Sequence, residues 1–87
     1  MLRFRLFKLE EGGLRYARTD YVPAETPLKA FLEARAAETQ PGDGLYFLDT
    51  FYRRRENGTW QQLPAGHPDV QGLYTQAVRT ESEAARD

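Results

Sequence analysis

Residues 51–60 read FYRRRENGTW: two aromatics, three consecutive arginines, an Asn-Gly pair and the chain's one tryptophan. Asn-Gly is the strongest short-range signal for a two-residue β-hairpin turn, because both central residues of that turn take positive φ. It predicts a long arm over Leu45–Glu56, LYFLDTFYRRRE, and a short returning arm over Thr59–Leu63. Asp49-Thr50 interrupts the apolar pattern of the long arm and predicts a bulge or bend there. A turn centred on Asn57-Gly58 sets Arg55 against Trp60, Arg54 against Gln61, Arg53 against Gln62 and Tyr52 against Leu63. Strand alternation then places Arg53, Arg55 and Trp60 on one face, and Arg54 with Tyr52 on the other.

Working outward toward the N-terminus, Met1–Glu10 alternates, with Leu2, Phe4 and Leu6 on one side and Arg3, Arg5 and Phe7 on the other. Glu11-Gly12-Gly13 supplies a turn, and Leu14–Val22 returns as a strand rich in β-favouring residues. Between the two hairpins, LKAFLEARAAETQ (28–40) carries Leu28, Phe31, Leu32 and Ala36 along one helical stripe. Thr26 is the expected N-cap and Pro27 the first helical residue, where no backbone donor is needed. Pro41-Gly42-Asp43-Gly44 ends the helix. Beyond Pro64-Ala65-Gly66-His67-Pro68, a loop by composition, Asp69 can cap a helix carrying Val70, Leu73, Tyr74, Ala77 and Val78. Gly72 opposes that helix, whereas Thr75, Val78 and Thr80 suit a strand equally well. Residues 81–87 form a polar tail expected to fray. The whole of 1–87 is expected to be one α+β domain, ββαββ in order, with two antiparallel hairpins, one central helix and a C-terminal helix.

Composition sets outer limits on function. The formal net charge is −1 over 87 residues, so the chain lacks the overall basic excess that avid phosphate-backbone binding requires. It has no cysteine, which excludes disulfides, thiolate nucleophiles and cysteine-built zinc sites. No apolar run approaches the ~20 residues of a membrane span, and a cytoplasmic location is the expectation. Arginine outnumbers lysine ten to two. That is the bias of a GC-rich, bacterial-type coding genome, and it makes an arginine cluster weaker evidence of a binding motif. Asn57-Gly58-Thr59 fits the glycosylation sequon but reads as a turn.

Catalytic groups are sparse. Ser82 lies in the polar tail and His67 between a glycine and a proline, so neither has the converging partners of a nucleophilic triad. His67 and Asp69 make two metal ligands where a typical structural site needs four. No glycine pattern of the phosphate-loop or dinucleotide kind is present. The expectation is therefore a protein without enzymatic activity, cofactor or metal.

Two binding surfaces remain. Arg53, Arg55 and Trp60 form a cross-strand cluster, whose plain explanation is guanidinium stacked on indole, about 0.5–1 kcal/mol at an exposed site. Its functional reading is an interface spot, since arginine and tryptophan are enriched there. The second surface follows from charge. The hairpins (1–22 and 44–63) hold eight basic and five acidic residues, so an open sheet face bearing Arg3, Arg5 and Arg15, with Arg54, could stack single-stranded nucleic acid. The leading expectation is a small interaction module that binds another protein or a second copy of itself. The alternative is a nucleic-acid-binding accessory protein.

Overall fold

The computed structural model describes residues 1–11, 13–64, 66–68, 70 and 72. Its strands are β1 (Leu2–Glu10), β2 (Gly13–Val22), β3 (Gly44–Phe47), β4 (Thr50–Arg54) and β5 (Trp60–Pro64), with α1 (Leu28–Ala36) between β2 and β3. They form one antiparallel sheet in the order β2-β1-β3-β4-β5. The class is α+β, as the element order predicts. The sheet has five strands rather than four, because the long arm expected over Leu45–Glu56 is itself a hairpin. It reverses at Leu48-Asp49, with Phe47 paired to Thr50. The interruption at Asp49-Thr50 predicted a bulge or bend, and it is a full reversal. Leu48 takes φ 56°, a conformation that this turn position normally gives to glycine, so the residue types marked the place but not a hairpin turn.

The helix is shorter than its pattern and starts later. Pro27 is the N-cap, with no side-chain cap bond, and Thr26 instead donates its backbone N–H to Pro23 O. Thr26 is thus part of a tight turn and not the cap. At the other end the Thr39 hydroxyl donates to Arg35 O at 2.8 Å, a side-chain bond that closes the last turn. The question of helix or strand over 69–80, and the fraying of 81–87, fall mostly or wholly outside the described residues.

Apolar side chains cover both faces of the sheet. On the α1 face, Phe4, Leu6, Leu45 and Tyr52 pack with Phe31, and Leu32 and Trp60 lie against them. Phe4 and Phe31 have ring centroids 4.3 Å apart. On the opposite face, Phe7, Leu14, Tyr46, Phe51, Leu63 and Val70 form a second cluster. Phe7 meets Tyr46 edge-on at 5.5 Å, an arrangement favoured by the ring quadrupoles. The sheet face away from the helix is therefore not the open, solvated surface expected of it. Gly44 is required by this second layer, since a Cβ there would overlap the ring of Phe51. A bulge lets β2 serve both layers, sending Leu14 and Tyr16 to the second cluster and Val22 to the helix-side one. Leu6 pairs with Arg18 and Phe7 with Tyr16, leaving Ala17 as an extra residue in the edge strand β2.

Asp43 locks the helix-to-sheet connection. Only 3% exposed, it accepts the backbone N–H of Leu9 and of Gln40, each at 2.9 Å, and pairs with the Lys8 ammonium at 3.2 Å. Its own carbonyl accepts the N–H of Arg54. A buried carboxylate is tolerable because these donors replace its water. The carboxylate lies in the four-residue breaker cluster, where composition indicated only a loop.

Candidate functional site

The β4–β5 loop determines which side chains share a face. Arg55 donates its N–H to Thr59 O at 2.8 Å, and Gly58 donates to Arg55 O at 3.2 Å. The loop is thus the three residues Glu56-Asn57-Gly58, with only Gly58 at positive φ, +88°. Asn57 Oδ1 accepts from both the N–H and the hydroxyl of Thr59, at 3.1 and 2.6 Å, which secures the turn from within.

The pairing therefore differs from the two-residue register by one position. Arg54 pairs with Trp60, Arg53 with Gln61, Tyr52 with Gln62 and Phe51 with Leu63. A one-residue slip moves every side chain of one strand to the other face. Trp60 consequently shares a face with Arg54 and Tyr52, and it is separated from Arg53 and Arg55. Burial is the physical reason. Only this register places Leu63 over Phe51 in the far cluster and Trp60 against Leu32 in the helix-side cluster.

Each arginine then has a distinct setting. Arg53 donates from Nε and Nη2 to Gln61 Oε1, at 3.3 and 3.1 Å. Arg55 reaches the Thr59 hydroxyl at 3.2 Å and is exposed. Arg54 donates to Ala36 O at 3.0 Å and to Arg55 O at 2.8 Å. A guanidinium at the last helical carbonyls satisfies an orphan acceptor and suits the negative end of the helix dipole. Arg54 is thus a helix-terminating side chain. Arg15 pairs with Glu10 at 3.0 Å and sits, with its partner Lys8, on the helix side. Arg3 and Arg5 lie on the opposite face, Arg5 over the Tyr46 ring at 5.8 Å. The four arginines assigned to one basic face are split between two.

The remaining charges are used between elements. Arg18 and Arg35 alternate with Asp20 and Glu38 in a closed quartet, with contacts of 2.6–3.4 Å. It ties the edge strand β2 to the end of α1. The hydrogen bond to Asp20 holds the Arg18 pKa above its ordinary value despite some burial. Burial, with a contribution from Asp49, likewise raises that of Tyr52. Among the described residues no group of three or more His, Asp or Glu could hold a metal ion, and no helix is long and apolar enough to cross a membrane.

One surface has the character of a binding site. Between the first turns of α1 and the β4–β5 loop runs an apolar groove of about 330 Å³, lined by Leu28, Leu32 and Trp60, with Lys29, Glu33 and Thr59 at its edges. The indole N–H donates to Leu32 O at 2.8 Å, so the tryptophan's one polar atom is already satisfied and the wall it presents is carbon. Leu28 remains 41% exposed at the rim. Sequence reasoning singled out Trp60 but assigned it arginine neighbours, and it gave Leu28 and Leu32 to the core stripe. Only the register joins the three. Compared with protein-family models, curated proteins and solved structures, the chain matches none of them.

Proposed function

We propose that this protein is a small, non-enzymatic interaction module that works in the cytoplasm, with the Trp60 groove as its docking surface for an apolar side chain of a partner protein. The observation that carries this reading is the groove itself. Its indole wall has its polar atom occupied internally, its leucine rim is partly open, and both charge signs lie at the edge. Tryptophan held rigidly in a desolvating hollow is the usual anchor of an interface hot spot. Arg53 and Arg55 serve as the hairpin's polar flank. The test is selection of peptides from a random library against the folded protein, followed by titration while watching the Trp60 indole N–H resonance. Selected peptides are expected to shift that resonance and to lose binding to a folded Leu28→Glu variant. Peptides that bind equally to both forms, or none at all, would remove the proposal.

Nucleic-acid binding is a second reading, now favoured by one pairing only. Arg3 lies across from Tyr21 on the face away from the helix, and Tyr21 is 62% exposed. An exposed ring beside a guanidinium is the element on which single-stranded bases stack. Labelled single-stranded DNA or RNA should then bind at low salt, lose affinity steeply as salt rises, and ignore Tyr21→Ala only if this reading is mistaken.

A further inference from the structure

The groove has a counterpart on the same chain. Among the described residues Leu48 is the most exposed large apolar side chain, at 81%, and it holds φ 56° at the tip of the β3–β4 turn. Left-handed backbone disfavours leucine, and water disfavours its side chain. Glycine or asparagine would make the same turn without either cost. Such an outlier points to a contact made outside the chain. A hollow of about 400 Å³ adjoins it, lined in part by Leu2, Arg3, Arg5 and Phe47.

Leu48 cannot enter the groove of its own molecule. It precedes Thr50 at one end of β4, whereas Trp60 pairs with Arg54 at the other. At a rise of about 3.3 Å per residue, the strand separates them by on the order of 13 Å. A second molecule has no such restriction. The knob end carries Arg3 and Asp49, and the groove edge carries Glu33 and Lys29, so charges of both signs find opposites. With a net charge of −1, self-repulsion is small.

We propose that Leu48 of one copy docks in the Leu28–Leu32–Trp60 groove of a second copy, head to tail. The inference rests on the groove being a docking surface and names its partner. A one-way contact leaves each pair with one free knob and one free groove and extends into rings or short chains, whereas a reciprocal contact closes as a two-fold dimer. A single-leucine anchor is far smaller than a standard interface, and association is therefore weak and reversible.

Sedimentation equilibrium of the full chain tests this between about 20 µM and 1 mM. The wild type is expected to rise above its monomer mass of 10.0 kDa as concentration increases. Leu48→Asp, which keeps the groove, and Leu28→Glu, which keeps the knob, should each remain monomeric. Both positions are exposed or at a rim, and circular dichroism checks that both variants fold. Mixed together, the two variants retain one intact knob and one intact groove, so the mixture should form heterodimers and stop there. A wild type that is monomeric throughout, single variants that associate like the wild type, or a mixture that stays monomeric each overturns the proposal. Library-selected peptides that still require Leu28 would then leave the groove's docking role standing without self-recognition. Loss of both results would remove the two together.

Discussion

The two loops that flank β4 reverse the chain by opposite means. The β4–β5 loop spends three residues, places its single positive φ on Gly58, and binds Thr59 through Asn57. The β3–β4 loop spends two residues and places its positive φ on Leu48, which has no conformational excuse for it. One loop is locally relaxed and the other locally strained, yet both deliver β4 in the same orientation. The difference teaches that the loops follow the sheet's two buried faces. β4 must send Phe51 to one cluster and Tyr52 to the other, and the connections on either side adopt whatever length keeps Leu45, Leu63 and Trp60 opposite their partners.

The sharpest way to break that account is Trp60→Ala. If Trp60 lies over α1, the change removes its packing on Leu32 and the bond to Leu32 O. The expected loss is about 2–3 kcal/mol of unfolding free energy in urea, somewhat below the cost for a fully buried tryptophan. Under a two-residue turn, Trp60 would project beside Arg55 and its removal would cost well under 1 kcal/mol. Equilibrium unfolding separates the two registers in one experiment.

Next come the two positive-φ residues, which should respond with opposite signs. Gly58→Ala puts a Cβ into left-handed backbone, and stability should fall by about 1–2 kcal/mol even though open space surrounds the site. Leu48→Asn should raise stability by about 0.5 kcal/mol, because asparagine tolerates positive φ and leucine does not. Thermal melts of both variants measure the pair. A destabilising Leu48→Asn would mean that the leucine is held by contacts within its own chain. A stabilising one that also abolishes self-association is the outcome expected when strain is retained for binding.

These residues also show what could be read in advance. The first hairpin and the helix stripe were legible because their periods are clear: Leu2, Phe4 and Leu6 alternate, and Leu28, Phe31, Leu32 and Ala36 keep helical spacing, although the helix ends at Ala36, well before Pro41-Gly42. The Leu48-Asp49 reversal was legible only as a bulge or bend at Asp49-Thr50, since no glycine, proline or asparagine marks a turn there and its flanks read as one arm. The slip at Asn57-Gly58 was invisible for another reason. The same dipeptide serves a two-residue and a three-residue loop, and the choice rests on Leu63 and Trp60 having a second covered face to reach. Asp43 was masked by the breaker residues around it. For the candidate site, Trp60 stood out by type, whereas Leu28 and Leu32 joined it only through a register that distant packing selects.

The smallest effect discriminates the registers most finely. In a double-mutant cycle, Arg55→Ala and Trp60→Ala should be additive, with a coupling energy within about 0.3 kcal/mol of zero. Arg55 touches the Thr59 hydroxyl and solvent, and its strand partner is Thr59, one residue before the tryptophan. A cross-strand guanidinium–indole stack would instead register as about 0.5–1 kcal/mol. Because the cycle cancels whatever each truncation does elsewhere, it is unaffected by the larger cost of losing Trp60 from the helix side. Coupling near zero leaves the tryptophan with α1 and the groove, and a measurable coupling would return it to Arg55.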